Sequence, residues 1–187
     1  MTRILGISGS LRRDSHNTSL LRAAAQAAGS DVELELYDGL KEVPPYDEDD
    51  DVYPRRTSVA RLNAAIAEAD AVLFATPEYN ASIPGQLKNA IDWVSRPVAT
   101  NVLRNKPVAV VGASTGAFGA AWAQAELRKV LAALGARVVD VELPVPHVHT
   151  RFEEGELTDE EIRARLAEAV EALAAEIRQR EGMKVVA

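Results

Sequence analysis

The sequence predicts an α/β fold: a doubly wound, five-stranded parallel sheet with helices on both faces, in which the order 2-1-3-4-5 would make the first, third and fourth strands neighbours. Three observations lead there. Short apolar runs alternate along the whole chain with segments of helical period, the pattern of repeated βαβ units. Two of the runs, Asp70–Thr76 and Pro107–Ala113, are almost wholly apolar, as in strands covered on both faces. The unusual loops, rich in glycine, hydroxyls or proline, follow the first, third and fourth runs, where ligands of open α/β sheets bind.

The first element, Arg3–Ser8, is a short apolar run that enters a Gly/Ser/Arg turn. A helix follows over about Thr18–Ala28, with Leu20, Leu21, Ala24, Ala25 and Ala28 on one side and Gly29 closing it. Val32–Tyr37 alternates Val32, Leu34 and Leu36 with Glu33 and Glu35, so it reads as a half-buried strand near a sheet edge. Asp38–Tyr53, with Pro44, Pro45 and the acidic run Asp47–Asp51, reads as a solvated loop. The second helix spans about Ser58–Ala69, with Val59, Leu62, Ala65, Ile66 and Ala69 on one side. After the third strand, Pro84 opens a helix whose inner stripe is Leu87, Ala90, Ile91 and Val94. A helix with Leu127, Val130, Leu131 and Leu134 inward follows the fourth strand, and Arg137–Leu143 is the fifth strand. The last helix is expected to open with Thr158 and Glu161 as a capping box. No repeat or linker divides the chain, so residues 1–187 are expected to form one domain.

Composition narrows the function. The chain has 187 residues, of which 47% are hydrophobic and 26% charged, the balance of a folded globular domain. Acidic residues outnumber basic ones by 28 to 21, and that negative field argues against nucleic-acid binding. With no cysteine there is no disulfide, thiolate metal site or cysteine nucleophile, so redox chemistry would need a bound cofactor. The opening Met1-Thr-Arg-Ile-Leu is unlike a signal peptide, and no run reaches the roughly 18 apolar residues of a membrane span. The expected location is cytoplasmic, with no membrane partner.

The first loop, Ser8–Thr18, gathers the hydroxyls of Ser8, Ser10, Ser15 and Thr18, the amide of Asn17, and the cations Arg12 and Arg13, all ahead of a helix N-terminus. Free N–H groups and the positive dipole end there suit a phosphate. The plainer alternative is a polar turn with Asn17 as the helix cap. Gly6-Ile-Ser-Gly9 lacks the G-x-G-x-x-G spacing, no G-K-[ST] occurs, and no G-x-S-x-G surrounds Ser8. The second loop, Thr76-Pro-Glu-Tyr-Asn-Ala-Ser-Ile-Pro-Gly85, is stiffened by two prolines and offers a ring and polar groups to a flat heteroaromatic ligand. The third, Ala113–Gly119, permits close backbone approach. His147 and His149 could be two metal ligands, but read better as part of a polar loop. Trp93 and Trp122 read as core or subunit-contact residues.

Taken together, the motifs Gly9-Ser-Leu-Arg-Arg-Asp-Ser-His-Asn17, Pro77-Glu-Tyr-Asn80 and Ile83-Pro-Gly-Gln-Leu-Lys-Asn-Ala-Ile-Asp-Trp93 resemble the NAD(P)H-dependent FMN reductase family. This flavodoxin-like group includes quinone, chromate and azo-dye reductases. Lys106-Pro-Val and Ser114-Thr-Gly116 agree with it, whereas Gly119-Ala120 stands where a glycine pair is common. The resemblance implies bound FMN, NADPH or NADH as electron donor, a small-molecule acceptor, and a homodimer or homotetramer. It implies that Ser10, Arg12, Ser15, Asn17 and Thr18 hold the FMN phosphate. Pro77, Glu78, Tyr79 and Asn80 would line the isoalloxazine ring, with Ser114, Thr115 and Gly116 near its other edge. Arg12 or Arg13 would additionally attract the phosphates of NADPH. No side chain is expected to act as a dedicated acid or base, because the cofactor carries the hydride chemistry. The competing functional classes are a flavodoxin-type electron carrier without NAD(P)H turnover, a non-catalytic binding module on the same fold, and a hydrolase using Ser8.

Overall fold

Five apolar runs pair into one parallel sheet: β1 (Thr2–Ser8), β2 (Val32–Tyr37), β3 (Ala71–Thr76), β4 (Pro107–Ala113) and β5 (Arg137–Val145), in the order β2-β1-β3-β4-β5. The computed structural model describes the backbone of residues 1–186 and the side chains of residues 1–179. Ala187, the last residue of the expected domain, lies outside the described residues. β3 and β4 are buried at every position, as continuous apolar runs require, while β2 alternates half-buried and exposed residues at one edge. Crossover helices separate every pair of successive strands, which is why all neighbours run parallel.

The two-residue period of the strands divides the core into two layers. Leu5, Ile7, Val72, Phe74, Val108 and Val110 point to the face covered by α2 (Thr57–Glu68), α3 (Gly85–Val94) and α4 (Ala121–Ala133). Ile4, Leu73, Val111 and Leu143 point to the other face, under α1 (His16–Ala27) and α5 (Glu160–Val186). Trp93 is fully buried in the first layer, where its indole N–H donates to Pro44 O at 2.8 Å.

Several local details differ from the sequence reading. α1 begins at His16, and its cap is Ser15, whose hydroxyl accepts from Thr18 N at 3.3 Å; Asn17 does not cap it. α5 is capped by Asp159, whose carboxylate accepts from Ile162 N at 3.1 Å, while the Thr158 hydroxyl donates instead to Arg151 O. The helix starts at Glu160, so Asp159 and not Thr158 occupies the capping position next to the open amides. β5 continues to Val145, and a small hairpin, β6 (Phe152–Glu153) and β7 (Glu156–Leu157), follows it. The acidic loop is held by its own arginines: Asp51 pairs with Arg55 and Asp50 with Arg56.

Candidate active site

All three unusual loops leave the sheet at its carboxyl edge, above the neighbouring strands β1, β3 and β4. The first is anchored where Gly9 N donates to Ala75 O at 2.8 Å. Within it, Ser10 Oγ accepts from Arg12 N, and the Arg12 guanidinium folds back to donate to Asp14 O. The Thr18 hydroxyl donates to Ser8 Oγ at 2.9 Å. The first amides of α1, at the end of this loop, have no intrahelical acceptor. Asn17 plays a different part from a cap. Its side chain is 4% exposed and forms a two-way pair with the end of β4, donating to Ala113 O and accepting from Ala113 N, both at 3.0 Å.

The second loop closes on itself as a tight turn. Tyr79 and Ser82 exchange backbone hydrogen bonds at 3.0 and 3.1 Å across Asn80 and Ala81, both left-handed with φ near 55° and 59°. That pair of positive angles belongs to a type I′ turn, which favours Asn followed by Gly. Ala81 is exposed, so its methyl gains no burial to offset the left-handed strain. Ala81→Gly is expected to stabilise the fold by roughly 0.5–1 kcal/mol, read as a rise in Tm of a few degrees by thermal denaturation. An unchanged or lower Tm would show that the turn is not strained. Glu78, beside this turn, accepts from Ala123 N at 3.0 Å. It thereby serves the N-terminus of α4, whose own capping residue, Ala120, offers no side-chain acceptor.

The third loop is braced by the segment after β5. Ser114 N donates to Val145 O at 3.1 Å, Val148 N to Ser114 O at 3.0 Å, and His147 N to Gly116 O at 3.1 Å. At its end Gly119 adopts φ 57°, packed so tightly on β5 that an added Cβ would lie 2.5 Å from Val145 N. Ala120 is also left-handed, with φ 62°. Its methyl is 1% exposed and points into the protein, away from any ligand approaching the loop.

The three loops enclose a crevice of about 550 Å³. Ser10, Arg12, Ser15 and Asn17 line one end, with Pro77, Glu78, Tyr79, Ser114 and Thr115 completing it. Three expected residues lie off this surface. Thr18 turns toward the β2 side of the first loop, Asn80 sits exposed at the turn, and Gly116 contributes its carbonyl to His147. His16, Ala113 and Val148 line the crevice without having been anticipated. His16 sits inside the Gly9–Asn17 motif without being singled out there, while Ala113, at a strand end, and Val148, in the segment after β5, carry no motif of their own. Burial pushes the His16 imidazole below its usual range, and Arg12 and His149 push it further the same way. Among the described residues no group of three or more His, Asp or Glu converges as a metal site, so the His147–His149 pair remains a ring contact at 6.5 Å.

Residues 2–150 match the family described as NADPH-dependent FMN reductase. The chain belongs to this family. Like its other members it is an NAD(P)H-dependent flavin oxidoreductase, and the electron-carrier alternative gives way. Among relatives of this FMN reductase, the NAD(P)H-dependent FMN reductase PA1204 of Pseudomonas aeruginosa is 39% identical over 182 residues, covering 96% of this chain and 97% of that one. A 2-hydroxy-1,4-benzoquinone reductase from a Burkholderia species is 41% identical over 182 residues, covering 95% and 97%. The solved structure of FerB, a flavoenzyme NAD(P)H:(acceptor) oxidoreductase from Paracoccus denitrificans, superposes with a TM-score of 0.83 at 36% identity, covering 96% of this chain and 98% of that one.

Proposed function

We propose that the crevice holds FMN, its phosphate against the first loop and its isoalloxazine ring between Pro77–Tyr79 and Ser114–Thr115, and that the protein passes electrons from NAD(P)H to a quinone-class acceptor. The observation that carries this reading is the meeting of a donor-rich helix N-terminus and two stiff loops in one crevice. The residues fit the group. Hydroxyls of Ser10 and Ser15, the charge of Arg12 and the open amides at His16 and Asn17 suit a phosphate, and no carboxylate lines that end. Pro77 and the Ser114–Thr115 backbone suit the edges of a flat ring.

Bound FMN supplies hydride acceptance from the nicotinamide and electron delivery to the acceptor. The protein's own residues bind and orient. The Asn17 side chain is spent on Ala113, so toward the phosphate Asn17 offers its main-chain N–H, while its amide holds the third loop at a fixed height above the first. The amides of residues 114–116 are the donors for negative charge developing on the ring. Glu78 joins the second loop to α4, keeping the two sides of the ring slot at constant width.

The acceptor is a small molecule that reaches the exposed side of the slot beside Tyr79. Quinones are favoured over azo compounds and metal oxyanions, because one relative matched across nearly the full chain is named for benzoquinone reduction and shorter matches are named quinone reductase. Phe118, in the third loop, and Trp122, at the start of α4, touch with ring centroids 4.7 Å apart, are both strongly exposed, and suit a contact with a second copy in a homodimer or homotetramer. Among the described residues no helix is long and apolar enough to cross a membrane. A cytoplasmic site of action would put the enzyme where its nicotinamide donor is abundant.

The test is the visible spectrum of the purified protein during anaerobic addition of NADPH and then NADH. A yellow protein that bleaches and recovers colour with benzoquinone is the expected result. Yellow protein that stays oxidised, or colourless protein that takes up no FMN, would overturn the reading.

A further inference from the structure

A second opening lies on the other side of the first loop, above the ends of β1 and β2. It is a groove of about 780 Å³, and it shares Ser10 and Arg12 with the flavin crevice. Adjacent strands are about 4.8 Å apart, so the middle of this groove and the middle of the crevice are roughly two strand spacings, or ~10 Å, from each other. Its floor is apolar: Leu21, Leu36 and Leu40. Its rim is cationic: Arg13, Arg22 and Lys41 line it together with Arg12.

Elsewhere in this acidic chain many of the arginines face carboxylates. Arg55, Arg56, Arg61, Arg128, Arg137 and Arg151 each face a carboxylate. Among the described residues, Arg13, Arg22 and Lys41 form no ion pair. The one carboxylate in the groove, Asp38, is drawn off to Arg61. Three cations without ion pairs along one groove, in a protein of net charge −7, concentrate positive potential there. An apolar floor beside a cationic rim is the surface that suits a nucleotide: the floor takes the face of a base and the rim takes phosphate.

We infer that this groove receives the adenosine half of the electron donor, with Arg22 and Lys41 on the 2′-phosphate, so that the enzyme prefers NADPH to NADH. The inference rests on the proposed function, since the nicotinamide of the same molecule must reach the flavin crevice. A single dinucleotide bridges the two openings across the first loop. Arg12, shared by both, stands where the donor's pyrophosphate would cross. Arg22 and Lys41 project from α1 and from the turn after β2, outside the flavin crevice, so their removal leaves flavin binding intact.

The test uses the holoenzyme and the double variant Arg22→Gln/Lys41→Gln, with both donors and one quinone acceptor. The expected result is a KM for NADPH about tenfold higher, with KM for NADH and both kcat values within twofold of the parent and flavin content unchanged. In the parent, 2′,5′-ADP should compete with NADPH, 5′-AMP should do so far more weakly, and the double variant should lose the difference. An unchanged KM for NADPH would overturn the inference, as would a KM for NADH that rises in step with it. Inorganic phosphate competing as well as 2′,5′-ADP would reduce the groove to a general electropositive patch and overturn it too. Titration of the parent with 2′,5′-ADP by calorimetry reads the groove without turnover. If 2′,5′-ADP binds but neither donor bleaches the flavin, the groove stands and the redox reading fails. Bleaching by both donors without 2′,5′-ADP binding gives the reverse.

Discussion

Gly119→Ala is expected to lower stability by about 3–5 kcal/mol and to empty the flavin crevice. The new Cβ would lie 2.5 Å from Val145 N and 2.7 Å from Pro144 C, both main-chain atoms that no side-chain rotation can move aside. The position also has φ 57°, which adds left-handed strain for any residue with a Cβ. β5 must therefore retreat from the third loop, and the bond from Ser114 N to Val145 O is the first to stretch. For a chain of this length the change corresponds to a fall in Tm of about 6–20 °C. Thermal denaturation with an absorbance ratio for bound flavin reads both effects. A variant within a degree or two of the parent and fully yellow would mean that the contact between β5 and the loop is not fixed in solution.

The second large effect belongs to Asn17. Asn17→Ala leaves the N–H and C=O of Ala113 without partners in a buried place, at a cost of roughly 2–4 kcal/mol. The loss is also geometric, since it frees the third loop from the first and should weaken FMN retention by tenfold or more. Asn17→Asp separates the two roles. A carboxylate still accepts from Ala113 N but cannot donate to Ala113 O, and it sets a negative charge beside the expected phosphate. It should therefore bind FMN more weakly than Asn17→Ala at comparable Tm. If both variants retain flavin like the parent, the pair at Ala113 does not set the shape of the crevice.

The sheet was legible because its two central strands are apolar without interruption and its edge strand alternates, signals that lie entirely within each segment. The loops that form the crevice were legible for a related reason: hydroxyls, prolines and glycines collect there instead of periodic apolar residues. What could not be read were the pairings between segments. Asn17 is a plausible cap in one dimension, yet its partner is 96 positions away. Glu78 lines the crevice, and its carboxylate also serves α4, 45 positions away, because Ala120 leaves that helix end without an acceptor. The Asp159 cap displaced Thr158 because the helix starts one residue later than the motif implies, and β6 and β7, two residues each, are too short to display any period.

The tie between Asn17 and Ala113 also has a consequence in time. The crevice needs residues near 10, 78, 114 and 148 at once, and none of these pieces is local to another. A ribosome releasing this chain from its N-terminus has exposed the phosphate loop long before the strand that props up the opposite wall. Flavin therefore finds nothing to hold until about four-fifths of the protein has emerged and the sheet has closed around β4. Insertion of the cofactor is then a late event that locks a finished fold, and a cell short of riboflavin would accumulate folded, colourless protein ready to be charged.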